Sequence, residues 1–390
     1  MNDTSSPETE LILIRITGID RLGLTAAVSN ILARYHVDVL DIGQSDIHNT
    51  LSLGILIKAR SDESGSILKE LLFKATELRV TVNFEPISVS DYENWVSLQG
   101  KNRYILTLLA RKITAKQIAA VTSIIAQQHL NIDAIKRLTG RLPLNKEEAK
   151  SRACIEFSLR GTPLDREQLN AQLMEMAPKL GVDYSLQIDN MYRRMRRLIC
   201  FDMDSTLIET EVIDELAKRA GVGEQVAAIT ERAMRGEIDF IESFTERVAL
   251  LKGLDVSVMQ EIAESLPITE GVDRLMYVLK RYGYKIAILS GGFTYFGRYL
   301  ADKYGIDYVY ANELEVADGK LTGRYVGEVV DGRRKAELLR LIAQVEKVDI
   351  AQTIAVGDGA NDLPMLGVAG LGIAFHAKPK VVANARQSIN

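Results

Sequence analysis

Asp202 and Asp204 stand two residues apart at the end of an apolar run, Leu198-Ile199-Cys200-Phe201, and a hydroxyl pair, Ser205-Thr206, follows at once. Two carboxylates this close repel unless a cation or a proton lies between them. Oxygen ligands of this kind suit a hard cation such as Mg²⁺. A carboxylate so placed can also act as a nucleophile and become an aspartyl-phosphate. The plain alternative is a pair of turn aspartates capping a helix. Three later stretches bear on that choice: Ser290-Gly291-Gly292, Lys335, and Gly357-Asp358-Gly359-Ala360-Asn361-Asp362. Ser290 offers a hydroxyl, and the bare glycines let backbone amides approach a phosphate. Lys335 offers a point charge for the same anion, and Asp358 a further hard oxygen. Each alone is weak, since a Gly-Gly pair is an ordinary turn and a lone lysine an ordinary surface residue. Their order along the chain argues for one site.

The elements around them say where that site lies. Leu198–Phe201 reads as a short buried strand of a parallel sheet. Tyr284–Leu289 and Thr353–Val356 read as strands that end on Ser290 and on Gly357-Asp358. In open α/β sheets a ligand binds beyond the carboxyl ends of the strands, where all three stretches fall. Glu211 to Leu266 carries a helical pattern rich in charge, and its insertion after the first strand predicts a helical cap over the site. Tyr308–Asn312, Leu314–Val316 and Leu321–Glu328 predict a strand leading into a hairpin that turns at Asp318-Gly319. Lys335 begins a helix, and Leu371–Phe375 is one more strand.

The first half has a different rhythm. Residues 1–10 read as disordered. Leu11–Thr17 is a strand, Leu24–Tyr35 a helix, Val37–Ser45 and Leu51–Ala59 strands, Gly65–Thr76 a helix and Val80–Val89 a strand. That βαββαβ order is ferredoxin-like. It recurs as Arg103–Leu109, Thr114–Gln128, Ile132–Leu138, Ala153–Arg160, Asp165–Leu180 and Val182–Ile188, with polar Pro143–Ser151 as a loop. A repeat of about 90 residues is a duplicated domain rather than a solenoid.

At 390 residues the chain exceeds one ordinary core, so two or three domains are expected. A net charge of −4 gives no sign of a nucleic-acid binder. The cluster Arg193, Arg194, Arg196 and Arg197 reads as a solvated linker rather than a polyanion site. No apolar run reaches about 18 residues, so no membrane span is expected. The two cysteines form no CxxC, and Cys200 sits inside a strand, which fits a reducing compartment. The polar start lacks a signal pattern, so the expected location is cytoplasmic. The four histidines are scattered without ligand spacing.

Residues 198–390 resemble the haloacid dehalogenase superfamily, whose Asp-x-Asp-x-Thr pattern is Asp202 to Thr206 and whose later motifs fall on Ser290, Lys335 and Gly357–Asp362. They resemble more narrowly its phosphoserine phosphatase family. That likeness rests on Glu211-Val212-Ile213-Asp214-Glu215, Arg247-Val248-Ala249-Leu250-Leu251, Thr269-Glu270-Gly271 and Ser290-Gly291-Gly292-Phe293. The first βαββαβ unit resembles an ACT domain through Gly18-Ile19-Asp20-Arg21-Leu22-Gly23-Leu24, with Leu22 where that family favours proline. In the second unit Ala110-Arg111-Lys112-Ile113-Thr114 replaces this turn. The expected fold is therefore α/β, with a Rossmann-like core and helical cap at 198–390 (cap about 211–266). Two ACT domains at 11–95 and 102–189 and a basic linker at 190–197 precede it. In the family another strand and helix follow the position of Asn390, so the resemblance implies a shortened end.

The resemblance also implies roles. Asp202 would be the nucleophile and Asp204 the general acid and base, acting on O-phospho-L-serine as the last step of serine biosynthesis. Mg²⁺ would sit on Asp202, the backbone carbonyl of Asp204 and Asp358. Ser290, Gly291 and Lys335 would hold phosphoryl oxygens, and Asn361 and Asp362 would orient their loop, Asn361 also touching substrate or nucleophile. Glu211 would pair the substrate ammonium and Arg247 its carboxylate, with Met234 and Phe240 lining the lid. An amino-acid effector at the first ACT domain and a homodimer complete the expectation. The rivals are a phosphotransferase or phosphatase for another small ester, and a regulatory amino-acid-binding protein with an inactive catalytic half.

Overall fold

The computed structural model describes residues 8–98, 102–141, 152–385 and 387–390. The chain divides into two compact units, Met1–Lys101 and Asn102–Asn390.

In the first unit β1 (Thr9–Ile19), α1 (Leu24–Arg34), β2 (Asp38–Ile47), β3 (Thr50–Arg60), α2 (Ser61–Leu78) and β4 (Thr81–Ile87) form an antiparallel sheet in the order β2-β3-β1-β4. Alternate residues Ile12, Ile14 and Ile16 of β1 and Leu51, Leu53, Ile55 and Ile57 of β3 are buried. Val28 and Ile31 of α1 and Ile67 and Leu71 of α2 join the same core, so period 2 meets period 3.6 across one face. The strand expected to run to Val89 stops at Ile87, and a helix α3 (Val89–Ser97), capped by Ser88, follows. Of the expected disordered tail, residues 1–7 lie outside the described residues. Thr9 and Glu10 belong to β1 and pair with Arg60 and Ala59.

The second unit opens with β5 (Arg103–Ala110), α4 (Ala115–Gln127), β6 (Asn131–Arg137), β7 (Ala153–Arg160), α5 (Arg166–Leu180) and β8 (Asp183–Ile188). Its strand order, β8-β5-β7-β6, is that of the first unit. The expected loop Pro143–Ser151 lies wholly outside the described residues. After α6 (Met191–Arg194) the chain enters β9 (Leu198–Phe201), whose four residues are all buried. The cap follows as α7 (Val212–Ala220), α8 (Gly223–Met234), α9 (Phe240–Ala249) and α10 (Ser257–Glu264). The core resumes with α11 (Val272–Arg281), β10 (Lys285–Phe293), α12 (Thr294–Tyr304), β11 (Tyr308–Ala317), β12 (Lys320–Val326), α13 (Gly332–Val345), β13 (Thr353–Gly357), α14 (Leu363–Val368), β14 (Leu371–Phe375), α15 (Pro379–Val382) and β15 (Ser388–Ile389). β9 lies between β10 and β13, parallel to both. Ile199 and Phe201 face one apolar layer, Leu198 and Cys200 another with Leu338, Leu339 and Ile342 of α13. Burial on both faces is the reason the strand reads as an unbroken apolar run.

Two expectations change here. Residues 190–197 are only in part a solvated linker: Arg194 and Arg197 are exposed, but Arg193 and Arg196 are not. Arg196 is buried and donates to Ala351 O at 2.5 Å and Thr353 O at 3.1 Å, while Arg193 pairs with Glu156 at 2.6 Å. A guanidinium presents several donors, and here they satisfy carbonyls at the entry of β13. The second ferredoxin-like module is also not separate from the catalytic core. β15 pairs with β14 on one side and, through Ser388 opposite Tyr184, with β8 on the other. Asn390 N donates to Asp183 Oδ1 at 3.0 Å, and Ser185 bonds Gln387. One sheet of 11 strands therefore runs through both.

Candidate active site

Asp202 is the first residue past β9, and its N–H still donates to Val356 O at 2.9 Å, which prolongs the β9–β13 ladder by one bond. The chain then turns sharply. Ser205 adopts φ 57°, and the amides of Thr206, Leu207 and Ile208 all point to Met203 O. A left-handed serine is a strained choice. The two aspartates part: Asp202 turns to Lys335, and Asp204 Oδ1 accepts from Val212 N at 3.1 Å, at the start of α7.

Lys335 has no solvent exposure, and its Nζ lies 2.7 Å from Asp202 Oδ1 and 2.7 Å from Asp362 Oδ1. It stands in the first turn of α13, whose N-cap Asp331 accepts from Arg334 N. Burial alone would lower the ammonium's pKa, but the two carboxylates outweigh it and hold Lys335 charged above the ordinary lysine range. Asp202 is pushed up to about 7 by burial and then by the Asp362 charge, against the pull of Lys335. Asp358 is pushed up to about 6 by burial, Asp362 and Glu211. Asp204 is raised well above the carboxylate range by burial, then by Glu211 and Asp202. A protonated Asp204 is the form a general acid needs.

Ser290 is wholly buried within β10, where its register with β11 breaks, and its Oγ accepts from Gly292 N at 2.9 Å. A Cβ on Gly292 would come within 2.3 Å of Asp204 Oδ2, and one on Gly291 within 2.9 Å of Phe240 Cζ. A side chain at Gly292 would displace the Asp204 carboxylate, and one at Gly291 would press on the Phe240 ring of the cap. The Gly292 amide, expected to be bare, is engaged by Ser290. Asn312, unremarked in the sequence, is buried and bridges Gly291 O and Val330 N. A polar residue closing an otherwise apolar strand was the available signal.

The cap brings its own charges. Ser205 Oγ donates to Glu211 Oε1 at 3.0 Å. Arg247, half-buried on α9, donates Nε to Ser243 O at 3.2 Å. Burial lowers the Arg247 pKa, while the carboxylates of Glu211, Asp214 and Asp204 act against that. Phe240 stacks on Phe244 at 6.2 Å. Met234, expected to line the lid, is 68% exposed instead, its Sδ 3.9 Å from Lys378 Nζ. Asn361 folds back over Gly359, and its carbonyl lies against Gly332 at the start of α13.

Asp202, Asp358 and Asp362 each offer a carboxylate oxygen, all within 4.8 Å of one another. Three hard oxygens at this spacing are compatible with a divalent cation. Asp362 is already bound to Lys335 and to Gly359 N at 2.9 Å, which leaves Asp202 and Asp358 the freer pair. Thr206 Oγ1 reaches Asp358 at 3.5 Å. Buried charges, a serine–glycine loop and the cap helices thus lie around Asp202.

A family model for haloacid dehalogenase-like hydrolases matches residues 196–370, and one for the ACT domain matches 10–85. A phosphoserine phosphatase of Streptomyces coelicolor is 39% identical over 398 residues, spanning 100% of this chain and 92% of the relative. One from Mycobacterium tuberculosis is 38% identical, spanning 97% and 90%. Among solved structures, a haloacid dehalogenase family hydrolase of Salmonella enterica aligns with a TM-score of 0.64 at 29% identity, over 74% of this chain and 94% of that one. A probable phosphoserine phosphatase of Vibrio cholerae aligns with 0.56 at 36% identity, over 73% and 82%.

Proposed function

This chain belongs to the phosphoserine phosphatase family of haloacid dehalogenase-like hydrolases, and from that premise we propose that it hydrolyses O-phospho-L-serine to serine and phosphate through an aspartyl-phosphate. It is a phosphoric monoester hydrolase. The observation that carries the substrate is a charge pair at the cap: Glu211 Oε1 accepts from Ser205 Oγ at 3.0 Å beside the Asp202–Asp204 turn, and half-buried Arg247 is near enough to be influenced by the Glu211 and Asp204 charges.

Asp202 attacks phosphorus, and the serine oxygen leaves with the electron pair of the broken bond. Asp204 delivers its proton to that oxygen and then takes one from the water that cleaves the acyl phosphate. Ser290, Gly291 and Lys335 hold the phosphoryl oxygens, where fixed donors count most. Asn361 keeps the Asp358 loop against α13. Glu211 pairs the substrate ammonium, and Arg247 its carboxylate in a two-point contact. Asp202, Asp358 and the Asp204 carbonyl would hold Mg²⁺, which supplies charge neutralisation between carboxylates and phosphate. Residues 11–95 serve as the amino-acid-responsive part, with the effector near Gly18–Leu24 in a homodimer. The enzyme closes serine biosynthesis in the cytoplasm.

The test is phosphate release from O-phospho-L-serine with Mg²⁺, against a panel of phosphate esters and with alcohols offered as acceptors. Strong preference for phosphoserine with water as acceptor is expected. Comparable rates across the panel, or transfer to an alcohol, would overturn the reading.

A further inference from the structure

β10 and β11 pair in register from Ala287 opposite Tyr308 to Leu289 opposite Tyr310, lose it, and regain it at Phe293 opposite Asn312. Ser290, Gly291 and Gly292 lie in that break, so the backbone ladder does not hold them. Asn312 supplies what the ladder omits. It is 2% exposed, donates Nδ2 to Gly291 O at 2.8 Å, and accepts from Val330 N at 2.8 Å.

We propose that Asn312 is a positioning residue that fixes the Ser290–Gly292 loop relative to the helix carrying Lys335. The inference rests on the reading that Ser290 and Gly291 hold phosphoryl oxygens. Gly291 O and Gly292 N belong to one peptide group, and Gly292 N donates to Ser290 Oγ at 2.9 Å. That peptide is therefore held at both its poles, by Asn312 on one side and Ser290 on the other. With Ser290 Oγ accepting there, its own proton remains for a phosphoryl oxygen. The other end of the Asn312 amide grips Val330, two residues ahead of Gly332, where α13 begins. One carboxamide thus sets the distance between the two anion-holding segments. Only a side chain that donates and accepts at once does this, and losing one half leaves a buried partner unpaired.

The test compares Asn312→Asp, of the same size but without the N–H donor, with Thr294→Val. Thr294 Oγ1 donates to Ala311 O at 3.0 Å across the same β10–β11 seam, without touching the loop. Kinetics on phosphoserine and p-nitrophenyl phosphate are measured at a temperature where melting curves show folded protein, with inorganic phosphate as competitor. Asn312→Asp should lose about 10–10²-fold in kcat/KM on both substrates alike and weaken phosphate by a similar factor. Thr294→Val should lower the melting temperature and leave phosphate affinity unchanged. A folded Asn312→Asp with wild-type phosphate affinity, or a Thr294→Val with an equal loss, overturns the proposal. Should Asn312→Asp not fold, Asn312→Ser carries the same comparison, its hydroxyl being too short to span both partners. Ser290→Ala separates the premise. Unchanged phosphate affinity there defeats the loop's assignment, whereas a loss there with none at Asn312 defeats only the positioning role.

Discussion

Lys335 Nζ lies 2.7 Å from Asp202 Oδ1, the ammonium without solvent exposure, across 133 residues of sequence. Removing it strands Asp202 and Asp362 together in the interior. Breaking a buried pair on one side costs about 3–5 kcal/mol. Lys335→Met should be destabilised by that order at pH 7. Burial already raises the Asp202 carboxyl, and without the ammonium it rises further, so stability is lost as pH rises towards its folded pKa and regained below. Urea unfolding with chelator present, at pH 7 and pH 5, checks the sign. A deficit that does not shrink at pH 5 would mean the lysine acts through packing.

Asp202→Asn should cost at least roughly 10³-fold in kcat, because an amide is a poor nucleophile. Asp204→Asn should cost about 10²–10⁴-fold through two slowed proton transfers. Beryllium fluoride trapping should place the adduct on Asp202. An adduct on Asp204 would reverse the roles.

Arg247→Ala should weaken phosphoserine by about 10–10²-fold in kcat/KM, the worth of a charge-assisted contact. A phosphate ester without an amino-acid end should be nearly unaffected. Equal losses on both would make Arg247 a support of the cap's fold.

The shared sheet decides where the chain can be cut. Removal of residues 1–101 follows the boundary between compact units and should leave a folded, active enzyme without response to an amino-acid effector. Removal of residues 1–190 takes β8 from β15 and Glu156 from Arg193. That fragment should melt lower and aggregate at its opened sheet edge. Calorimetry and sedimentation of both fragments distinguish these outcomes, and equal melting temperatures would refute the dependence.

The cap is fastened twice. At its base Glu209 N donates to Pro267 O at 2.8 Å and Thr269 N to Leu207 O at 3.0 Å. At its far side Gly253 N donates to Leu321 O at 2.8 Å, and Asp255 forms a bridge with Lys320. α8 packs mainly on α7 and α9, so substrate entry should need α8 and its flanking turn to move and little else. A disulfide from Asp255→Cys with Lys320→Cys should therefore leave kcat within about twofold. Loss of turnover on oxidation, restored by reductant, would show that the whole cap swings.

The sequence by itself determined the local facts. An apolar run ending in Asp202, a strand whose regular pairing stops at Leu289 although it runs on to Phe293, and another ending in Gly357-Asp358 are legible because a doubly buried strand is apolar throughout and its regular pairing stops where polar groups begin. The βαββαβ order was legible twice for a similar reason, since period 2 and period 3.6 are written in neighbouring residues. Partners chosen over long separations were not. Nothing near Lys335 names Asp202 and Asp362, and nothing near Arg196 names the carbonyls 155 and 157 residues away that bury it. The two-residue strand at Ser388–Ile389 has too few residues for any period, and it forms because β14 and β8 each present an edge to it. Asn312 reads as a polar strand end until the break in register, which leaves Phe293 opposite it, brings Gly291 O within reach of its side chain. Tertiary structure decided these because a buried polar group must be satisfied by whatever the fold brings within hydrogen-bond reach, and reach is a property of space rather than of sequence.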